Sequence, residues 1–307
     1  MNDWDPSALP SQAGKTIVIT GAGRGVGYFA AEQLARAGAR VILTTRTEKD
    51  AATAIASIRS RVPAADLESV TLDLASLESI RAAATRLQEL GPIDVLINNA
   101  GNTGGTRKRS TTSDGLELMV GTNAFGPFAL TALVWPALAP DAVVVSLGSM
   151  ATRLARAKLD DYQQSEGRFS NSKAYAYSKH GTHAFAFELD RRLRASGSGI
   201  RSLLAHPGFA LDGNSSRRPG INDRDSAGQR VAERLMRPVA HGKDRGAWPV
   251  VRAAVDPYAS GGDFFGPKRS VTGHPVVVAA VPQSRAPEFG AEFWRQAEKA
   301  TGITFAP

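Results

Sequence analysis

The 307-residue chain contains no cysteine, which excludes disulfide bonds and thiolate metal sites. It contains only five histidines. Two of them, His180 and His183, are three residues apart on a predicted helix and could face one metal ion. No further cluster of His, Asp or Glu accompanies them, so we predict no metal site.

The sequence also lacks an unbroken apolar segment. The longest one, roughly residues 124–145, is interrupted by Pro127, Pro136, Pro140 and Asp141, so we do not expect it to span a membrane. Residues 1–15 are polar and lack the apolar run of a signal peptide. We therefore expect a cytoplasmic protein.

Acidic residues are in the minority, with 29 against 37 basic ones and a formal net charge of +8. The basic residues are spread along the chain, whereas a nucleic-acid-binding protein usually concentrates them on one face. This pattern favours a solvated basic surface without a nucleic-acid partner. A basic cavity for an anionic cofactor is also compatible with it.

Apolar runs alternate with helical stretches over the first two thirds of the chain, which predicts βαβ units and a parallel sheet. The predicted strands are nearly all apolar, as in a sheet covered on both faces. We predict an α/β fold: a doubly wound (Rossmann) parallel sheet of about seven strands with helices on both faces. The predicted strands are residues 15–20, 39–45, 68–74, 93–98, 142–147, 200–205 and 275–281.

We expect one Rossmann-type domain over residues 1–307, with residues 12–210 as the cofactor-binding and catalytic core. Residues 211–270 are rich in Gly, Arg, Asp, Ser and Pro and show no second core, so we interpret them as an insertion over the substrate mouth. A helical pattern occurs within it near residues 247–255. Residues 271–307 would supply a C-terminal strand and helix.

The first predicted strand runs directly into a glycine-rich turn, "TGAGRGVG" at residues 20–27, and then into a helix. Glycines permit a tight turn and allow a pyrophosphate to approach the backbone, and a helix N-terminus attracts phosphate. An isolated loop of this kind could be an ordinary turn, but between the first strand and helix of a βαβ series it predicts dinucleotide binding. The candidate residues are Gly21, Arg24, Gly25, Val26 and Gly27.

The second strand lacks the acidic residue that usually binds the ribose hydroxyls of NAD. Thr45 stands at that position and Arg46 follows it, while Arg24 lies inside the glycine loop. Guanidinium groups form charge-assisted, bidentate hydrogen bonds with phosphate. The sequence therefore favours NADP(H) over NAD(H), unless both arginines are merely solvated.

Further motifs follow: "LDLAS" at 72–76, "NNAG" at 98–101, "TNAFGPFALT" at 122–131, "VVVSLGSMA" at 143–151, "YAYSK" at 175–179 and "HPG" at 206–208. In this order, and with the glycine loop, they make the chain resemble the short-chain dehydrogenase/reductase family. The resemblance covers about residues 12–210. Within the family, the chain is similar to the retinol-dehydrogenase-like and protochlorophyllide-reductase-like branch.

The resemblance implies a role for each matching position. The family's strand commonly ends in two adjacent serines, of which the second is catalytic; Gly148 takes the first position and Ser149 the second, and Ser146 is left as a structural residue. The implied catalytic tetrad is Asn123, Ser149, Tyr175 and Lys179. The implied cofactor-binding residues are Asp73, Leu74, Asn98, Asn99, Ala100, Gly101, Tyr175, Lys179, Pro207 and Gly208.

The chemistry that these residues support is proton transfer to a substrate oxygen. Tyrosine has a pKa near 10, and we expect the ammonium of Lys179, four residues on along a helix, to lower that of Tyr175. Lys179 would also hold the nicotinamide ribose, Ser149 would bond the substrate oxygen, and Asn123 would support a relaying water. Tyr177 faces another side of the helix, so we expect it to pack.

Two positions depart from the family pattern. Asp212 stands where a threonine often grips the nicotinamide amide. The separation of Ser149 and Tyr175 is 26 residues, about twice that of many relatives, and the extra segment should form a loop or short helix beside the substrate mouth.

These observations predict an NADP(H)-dependent oxidoreductase that interconverts a carbonyl and an alcohol, either a carbonyl reductase or an alcohol dehydrogenase. Its partner would be an apolar or moderately polar small molecule, with Ser149, Phe209 and Phe264 as candidate substrate residues. Two alternatives stay open: a catalytically silent NADP-binding regulator, which the complete tetrad disfavours, and a double-bond reductase, which the lack of cysteine disfavours. A monomer or a homodimer is compatible with the sequence.

Overall fold

A mostly parallel sheet of eight strands organises the chain, in a computed structural model that describes residues 4–104, 108–222 and 239–307. Its strands are β1 (Thr16–Thr20), β2 (Arg40–Thr45), β3 (Leu67–Thr71), β4 (Ile93–Asn98), β5 (Leu138–Leu147), β6 (Arg201–Ala205), β9 (Phe264–Pro267) and β10 (Pro275–Val277). They lie in the order β10-β9-β6-β5-β4-β1-β2-β3. Two further short strands, β7 (Ala210–Leu211) and β8 (His241–Gly242), form a separate parallel pair.

The predicted doubly wound α/β fold is confirmed, and the sheet has one strand more than the expected seven. The additional strand is β9, whose four residues include a glycine and a proline and therefore resemble a turn in the sequence. The edge strand β10 pairs with β9 in antiparallel orientation. All other strand pairs of this sheet are parallel.

The helices cover both faces of the sheet. They are α1 (Gly25–Arg36), α2 (Glu48–Arg59), α3 (Leu77–Glu89), α4 (Leu118–Val120), α5 (Gly126–Val134), α6 (Asn171–Ser196), α7 (Lys243–Gly246), α8 (Trp248–Val255), α9 (Pro282–Arg285) and α10 (Pro287–Thr301). Side chains that accept backbone N–H groups begin several of them: Thr47 for α2, Ser76 for α3 and Ser170 for α6. Gly197 ends α6 in the left-handed conformation, with φ of 71°.

Strands β1 to β5 divide their buried side chains between two large apolar cores. In β1, Ile17 and Ile19 pack with α1 and α8, whereas Val18 packs on the opposite face with α3, α5, α6 and α10. This alternation with both faces buried explains why the strands are nearly all apolar. The helix near residues 247–255 belongs to the first of these cores, through Val250 and Val251.

One described helical segment, Leu118–Ala137, is long and apolar enough by composition to cross a membrane. Within its most apolar window, however, 72% of the segment is buried inside the fold, mainly against α3, α6 and α10. A helix at the centre of a protein core has the same composition. Its apolar character is therefore accounted for by packing.

The described start of the 211–270 segment, which the sequence predicts to be an insertion over the substrate mouth, lies against α1 and α2. Arg218 forms a bidentate ion pair with Glu32 on α1, with Nε–Oε2 and Nη2–Oε1 distances of 2.6 and 2.8 Å. Gly220 lies beside Thr53 of α2. Residues 223–238 of the segment lie outside the described residues.

The Arg218–Glu32 pair should be a major contributor to stability. The Glu32 side chain is 3% exposed, so Arg218→Ala would leave its carboxylate buried without its bidentate partner, and we expect unfolding to become easier by about 3 kcal/mol. Arg36 contacts the same carboxylate at 2.9 Å, but its side chain is 58% exposed, so Arg36→Ala should cost less than about 1 kcal/mol. Urea unfolding of both variants measures the difference, and equal losses would contradict this assignment.

Candidate active site

The glycine loop lies where the carboxyl ends of β1 and β4 meet. Gly21 and Gly25 have φ values of +67° and +64°, which only glycine adopts without strain. A Cβ on Gly27 would lie 2.3 Å from Nδ2 of Asn99, and one on Gly21 would lie 2.9 Å from Ala100. The loop is therefore glycine-rich partly because the "NNAG" segment packs directly against it.

Hydrogen bonds join the two strand ends. The Thr20 hydroxyl accepts the backbone N–H groups of Asn99 and Ala100, both at 2.9 Å, and Nδ2 of Asn99 donates to the Thr20 carbonyl at 2.7 Å. Asn98 behaves differently, because successive strand residues point to opposite faces. Its side chain donates to Thr131 at 3.0 Å inside the core, so it does not line the cofactor site as the resemblance implied.

Exposed positive charge lies at the end of β2, where this strand contacts the glycine loop. The Thr45 methyl group would lie 3.1 Å from a Cβ on Gly23, so this strand end contacts the glycine loop. Arg24 and Arg46 are both exposed, and neither forms an ion pair or side-chain hydrogen bond with a described residue. Both guanidinium groups are therefore available to a ligand that carries phosphate.

The turn after β3 is ordered by its own polar groups. Oδ1 of Asp73 accepts the N–H of Ala75 at 2.9 Å, and the Asp73 N–H donates to Ser79 Oγ at 2.9 Å. Leu74 is buried in the core that contains α3 and α5. These contacts hold the predicted adenine border in place beside the loop.

Ser149 and Tyr175, far apart in sequence, meet at the carboxyl end of β5. Ser149 Oγ accepts the N–H of Ala151 at 3.1 Å, which leaves its own proton free to donate, and it lies close enough to Tyr175 to act on the pKa of that phenol. Burial raises the pKa of Tyr175, and the nearby Ser149 hydroxyl only partly opposes the effect. The direction is opposite to the lowering expected from Lys179.

Lys179 is 5% exposed, and its Nζ donates to the carbonyl oxygen of Leu147 at 2.7 Å. Among the described residues no carboxylate pairs with it, and burial lowers its pKa to about 8. A Cβ on Gly101 would lie 3.7 Å from this Nζ and 3.3 Å from Oδ1 of Asn123. Lys179 and Asn123 therefore converge on the backbone behind β4.

Asn123 lies in a π-helical turn, Gly121–Phe125, between α4 and α5. Its Oδ1 accepts the N–H of Asn102 at 2.6 Å, and its Nδ2 donates to the Asn102 carbonyl at 2.8 Å and to Ser178 Oγ at 2.9 Å. The side chain is thus occupied in holding the loop after β4. The Asn123 carbonyl accepts from Thr182 at 2.9 Å and keeps a second lone pair for the predicted water.

The imidazole ring of His183 holds the backbone of Ser149 in place. His183 Nε2 accepts the N–H of Ser149 at 3.2 Å, and a Cβ on Gly148 would lie 2.3 Å from the same atom. Burial holds the pKa of His183 well below its usual value, so the ring is neutral and accepts. Phe264 packs its ring against His183 and His206, at centroid distances of 5.1 and 5.2 Å. Its side chain is buried among residues of α6 and β6, so we correct its expected place in the substrate pocket to a packing role.

The remaining aromatic and histidine candidates are structural. His180 bonds Ser284 Oγ at 2.7 Å and the Ala155 carbonyl at 2.8 Å, which ties the extra segment to the C-terminal region. Tyr177 stacks on Tyr162, whose hydroxyl donates to the Tyr177 carbonyl at 2.8 Å. The described residues contain no group of three His, Cys, Asp or Glu side chains suited to a metal ion.

The "HPG" loop is fixed by neighbouring segments. Gly208 has φ of +68°, and a Cβ there would lie 2.3 Å from the Val271 carbonyl, which also accepts the N–H of Phe209 at 2.9 Å. The Pro207 carbonyl is hydrogen-bonded to His241 at 2.7 Å. Phe209 is half-buried in this loop and stays a candidate substrate residue.

Beyond this loop, Asp212 forms an ion pair with Lys243, whose side chain reaches the glycine loop. Sequence patterns offered no signal for Lys243, because it is an isolated lysine in an irregular segment. Thr20 and His183 were likewise not assigned their supporting roles in advance, because their partners are distant in sequence.

Comparison with known proteins shows the family of the chain. The model of the short chain dehydrogenase family matches residues 15–217. The chain belongs to this family. Mouse polyprenol dehydrogenase is 34% identical over 267 residues, which cover 84% of this chain and 77% of the relative. Human retinol dehydrogenase 13 is 37% identical over 66% of this chain and 62% of its own length. These relatives agree with the predicted retinol-dehydrogenase-like branch.

Solved structures show the same fold. A crystal structure of an uncharacterized protein from Mycobacterium paratuberculosis superimposes with a TM-score of 0.80, 34% identity and 98% coverage of both chains. A short chain dehydrogenase from Burkholderia cenocepacia, solved in complex with NADP, gives a TM-score of 0.62 at 22% identity, over 86% of this chain and 98% of that one. The dehydrogenase fold is therefore shared.

The buried Lys179 should reduce the stability of the ligand-free protein. Its pKa is about 8 when folded and near 10.5 when unfolded, so below pH 8 folding must bury an ammonium group. We expect Lys179→Met to be the more stable protein at about pH 7, by up to about 3 kcal/mol. The difference should shrink as pH rises towards 10.5, because wild-type stability increases over that interval.

Chemical denaturation at about pH 7 and about pH 10 measures this effect. Lys173→Met, which replaces an exposed lysine on the same helix, is the matched control. A Lys179→Met protein that is less stable than wild type at the lower pH would contradict the prediction.

Proposed function

We propose that the protein is an NADP(H)-dependent oxidoreductase that interconverts a carbonyl and an alcohol. The observation that carries the proposal is that Ser149 and Tyr175 lie together at the carboxyl end of β5, where the buried Lys179 bonds the Leu147 carbonyl and approaches Gly101 and Asn123. The loop, the free N-terminus of α1 and the exposed arginines fit a nicotinamide dinucleotide. When bound, this cofactor supplies or accepts the hydride.

The protein's own residues handle the proton. With its pKa raised by burial, Tyr175 is a neutral phenol near pH 7, so it is ready to donate when a substrate oxygen gains negative charge. Ser149 can donate to the same oxygen or to the phenolate that remains. Lys179, whose pKa is about 8, can then deliver a proton towards Tyr175, and the water predicted beside Asn123 would relay protons to Lys179.

The substrate we propose is an apolar alcohol or aldehyde. The names of the relatives refer to polyprenol and retinol, which are apolar alcohols. Leu154, five residues beyond Ser149, is 77% exposed and would offer such a substrate an aliphatic contact. Phe209 would add an aromatic surface.

Replacement of Tyr175 tests the mechanism. Tyr175→Phe should lower kcat by about 10²- to 10⁴-fold, because the general acid is lost, while NADPH binding is retained. Tyr177→Phe, two residues away but packed on Tyr162, is the matched control and should stay close to wild type. NADPH or NADH consumption with a panel of aldehydes and ketones, and the reverse reaction with alcohols, gives the rates. Undiminished turnover by Tyr175→Phe would contradict the proposed role of Tyr175 as the general acid.

The arginine pair tests the choice of cofactor. Replacing Arg24 and Arg46 together by alanine should lower the affinity for NADPH by about 10-fold or more. The affinity for NADH should stay nearly unchanged, because only NADPH carries the 2′-phosphate. Arg61→Ala, an exposed arginine after α2, is the control. Equal losses for both cofactors, or equal use of both by the wild type, would remove the basis for NADP(H) preference.

A further inference from the structure

Lys243 is a cation beside the glycine loop that the family's motifs do not include. A Cβ on Gly25 would lie 3.8 Å from its Cδ and 4.0 Å from its Nζ. Its ammonium is held by Asp212 Oδ2, and the side chain is 27% exposed. Lys243 and Asp212 thus stand together in front of the loop at which a dinucleotide pyrophosphate is expected.

The backbone around this ion pair is well ordered. Leu211 pairs with Gly242 in the parallel β7–β8 ladder, so Asp212 and Lys243 leave adjacent strand ends at the same level. The Lys243 N–H donates to Ser215 Oγ at 2.7 Å, and the Ser215 N–H donates to the Asp212 carbonyl at 2.9 Å. The pair is therefore built into a small framework and is not a chance meeting of two long side chains.

The framework is also attached to the helix that follows the glycine loop. Gln33 Nε2 on α1 donates to the carbonyl of Asp244 at 2.9 Å. The buried Arg218–Glu32 pair makes a second attachment to the same helix. These two contacts fix the distance between Lys243 and the N-terminus of α1.

We propose that Lys243 is a cofactor-binding residue whose ammonium pairs with the pyrophosphate of the dinucleotide, and that Asp212 holds this ammonium in place. The proposal rests on the proposed function only in that a dinucleotide binds at the glycine loop. A phosphate oxygen offers the ammonium the same kind of charge-assisted hydrogen bond that the carboxylate offers. Because an ammonium group has three N–H donors, Lys243 can bond the phosphate and keep its bond to Asp212, so binding leaves neither anion without a cation.

This role also accounts for Asp212. A carboxylate near a pyrophosphate would repel it, unless a cation lies between them. Lys243 supplies that cation, so the pair as a whole is neutral and the carboxylate can be tolerated beside the cofactor.

Isothermal titration with NADP⁺ tests the proposal, because binding does not require turnover. Lys243→Met should lower the affinity for NADP⁺ by about 10-fold or more, because one charge-assisted hydrogen bond to phosphate is lost. Adenosine 2′-monophosphate, which carries neither phosphate of the pyrophosphate, should bind Lys243→Met and wild type alike. The same titrations with NAD⁺ keep the test independent of the 2′-phosphate.

Asp212→Asn is the matched control, because it removes the same ion pair but retains the ammonium. We expect it to lose clearly less NADP⁺ affinity than Lys243→Met, because the ammonium can still reach the pyrophosphate. An equal loss in both variants would show that the pair only supports the segment, and unchanged NADP⁺ affinity in Lys243→Met would also overturn the proposal. If the wild-type protein binds neither NADP⁺ nor NAD⁺, the proposed function itself is wrong. If the wild-type protein binds either one and Lys243→Met binds it equally well, only the role of Lys243 is wrong.

Discussion

The hydrogen bonds between Thr20 and the Asn99–Ala100 backbone hold the site together, because they lock the carboxyl ends of β1 and β4 to each other. These two strands are neighbours in the sheet although two βα units separate them in the chain. Ligands of doubly wound sheets bind where the strand order reverses, and that point lies here. The glycine loop leaves β1 at this junction, and Asn123 and Lys179 approach it from the β4 side.

Helix α6 serves the site from two directions. Tyr175 and Lys179 face the carboxyl end of β5, while His183, one turn further on, supports Ser149 through its backbone N–H. His180 faces away and ties the extra segment before the helix to Ser284. A single 26-residue helix can do this because its ends are capped and most of its length is buried.

The pKa shifts of Tyr175 and Lys179 come mainly from burial and not from ion pairs. Burial raises the pKa of Tyr175 and lowers that of Lys179, so both favour their neutral forms. On the opposite side of the glycine loop, charge is plentiful: Arg24 and Arg46 are exposed, and Lys243 is held by Asp212. The site thus separates an apolar region suited to proton transfer from a cationic region suited to phosphate.

The sequence alone was sufficient for the α/β architecture and for the glycine loop between β1 and α1, because strand patterns and turn glycines are local properties of the chain. It overlooked β9, whose glycine and proline resemble a turn. It also misjudged the direction of the Tyr175 pKa, because burial is set by the whole fold. The support of Ser149 by His183 and the meeting of Lys243 with the glycine loop join residues 34 and more than 200 positions apart, so only tertiary packing could decide them.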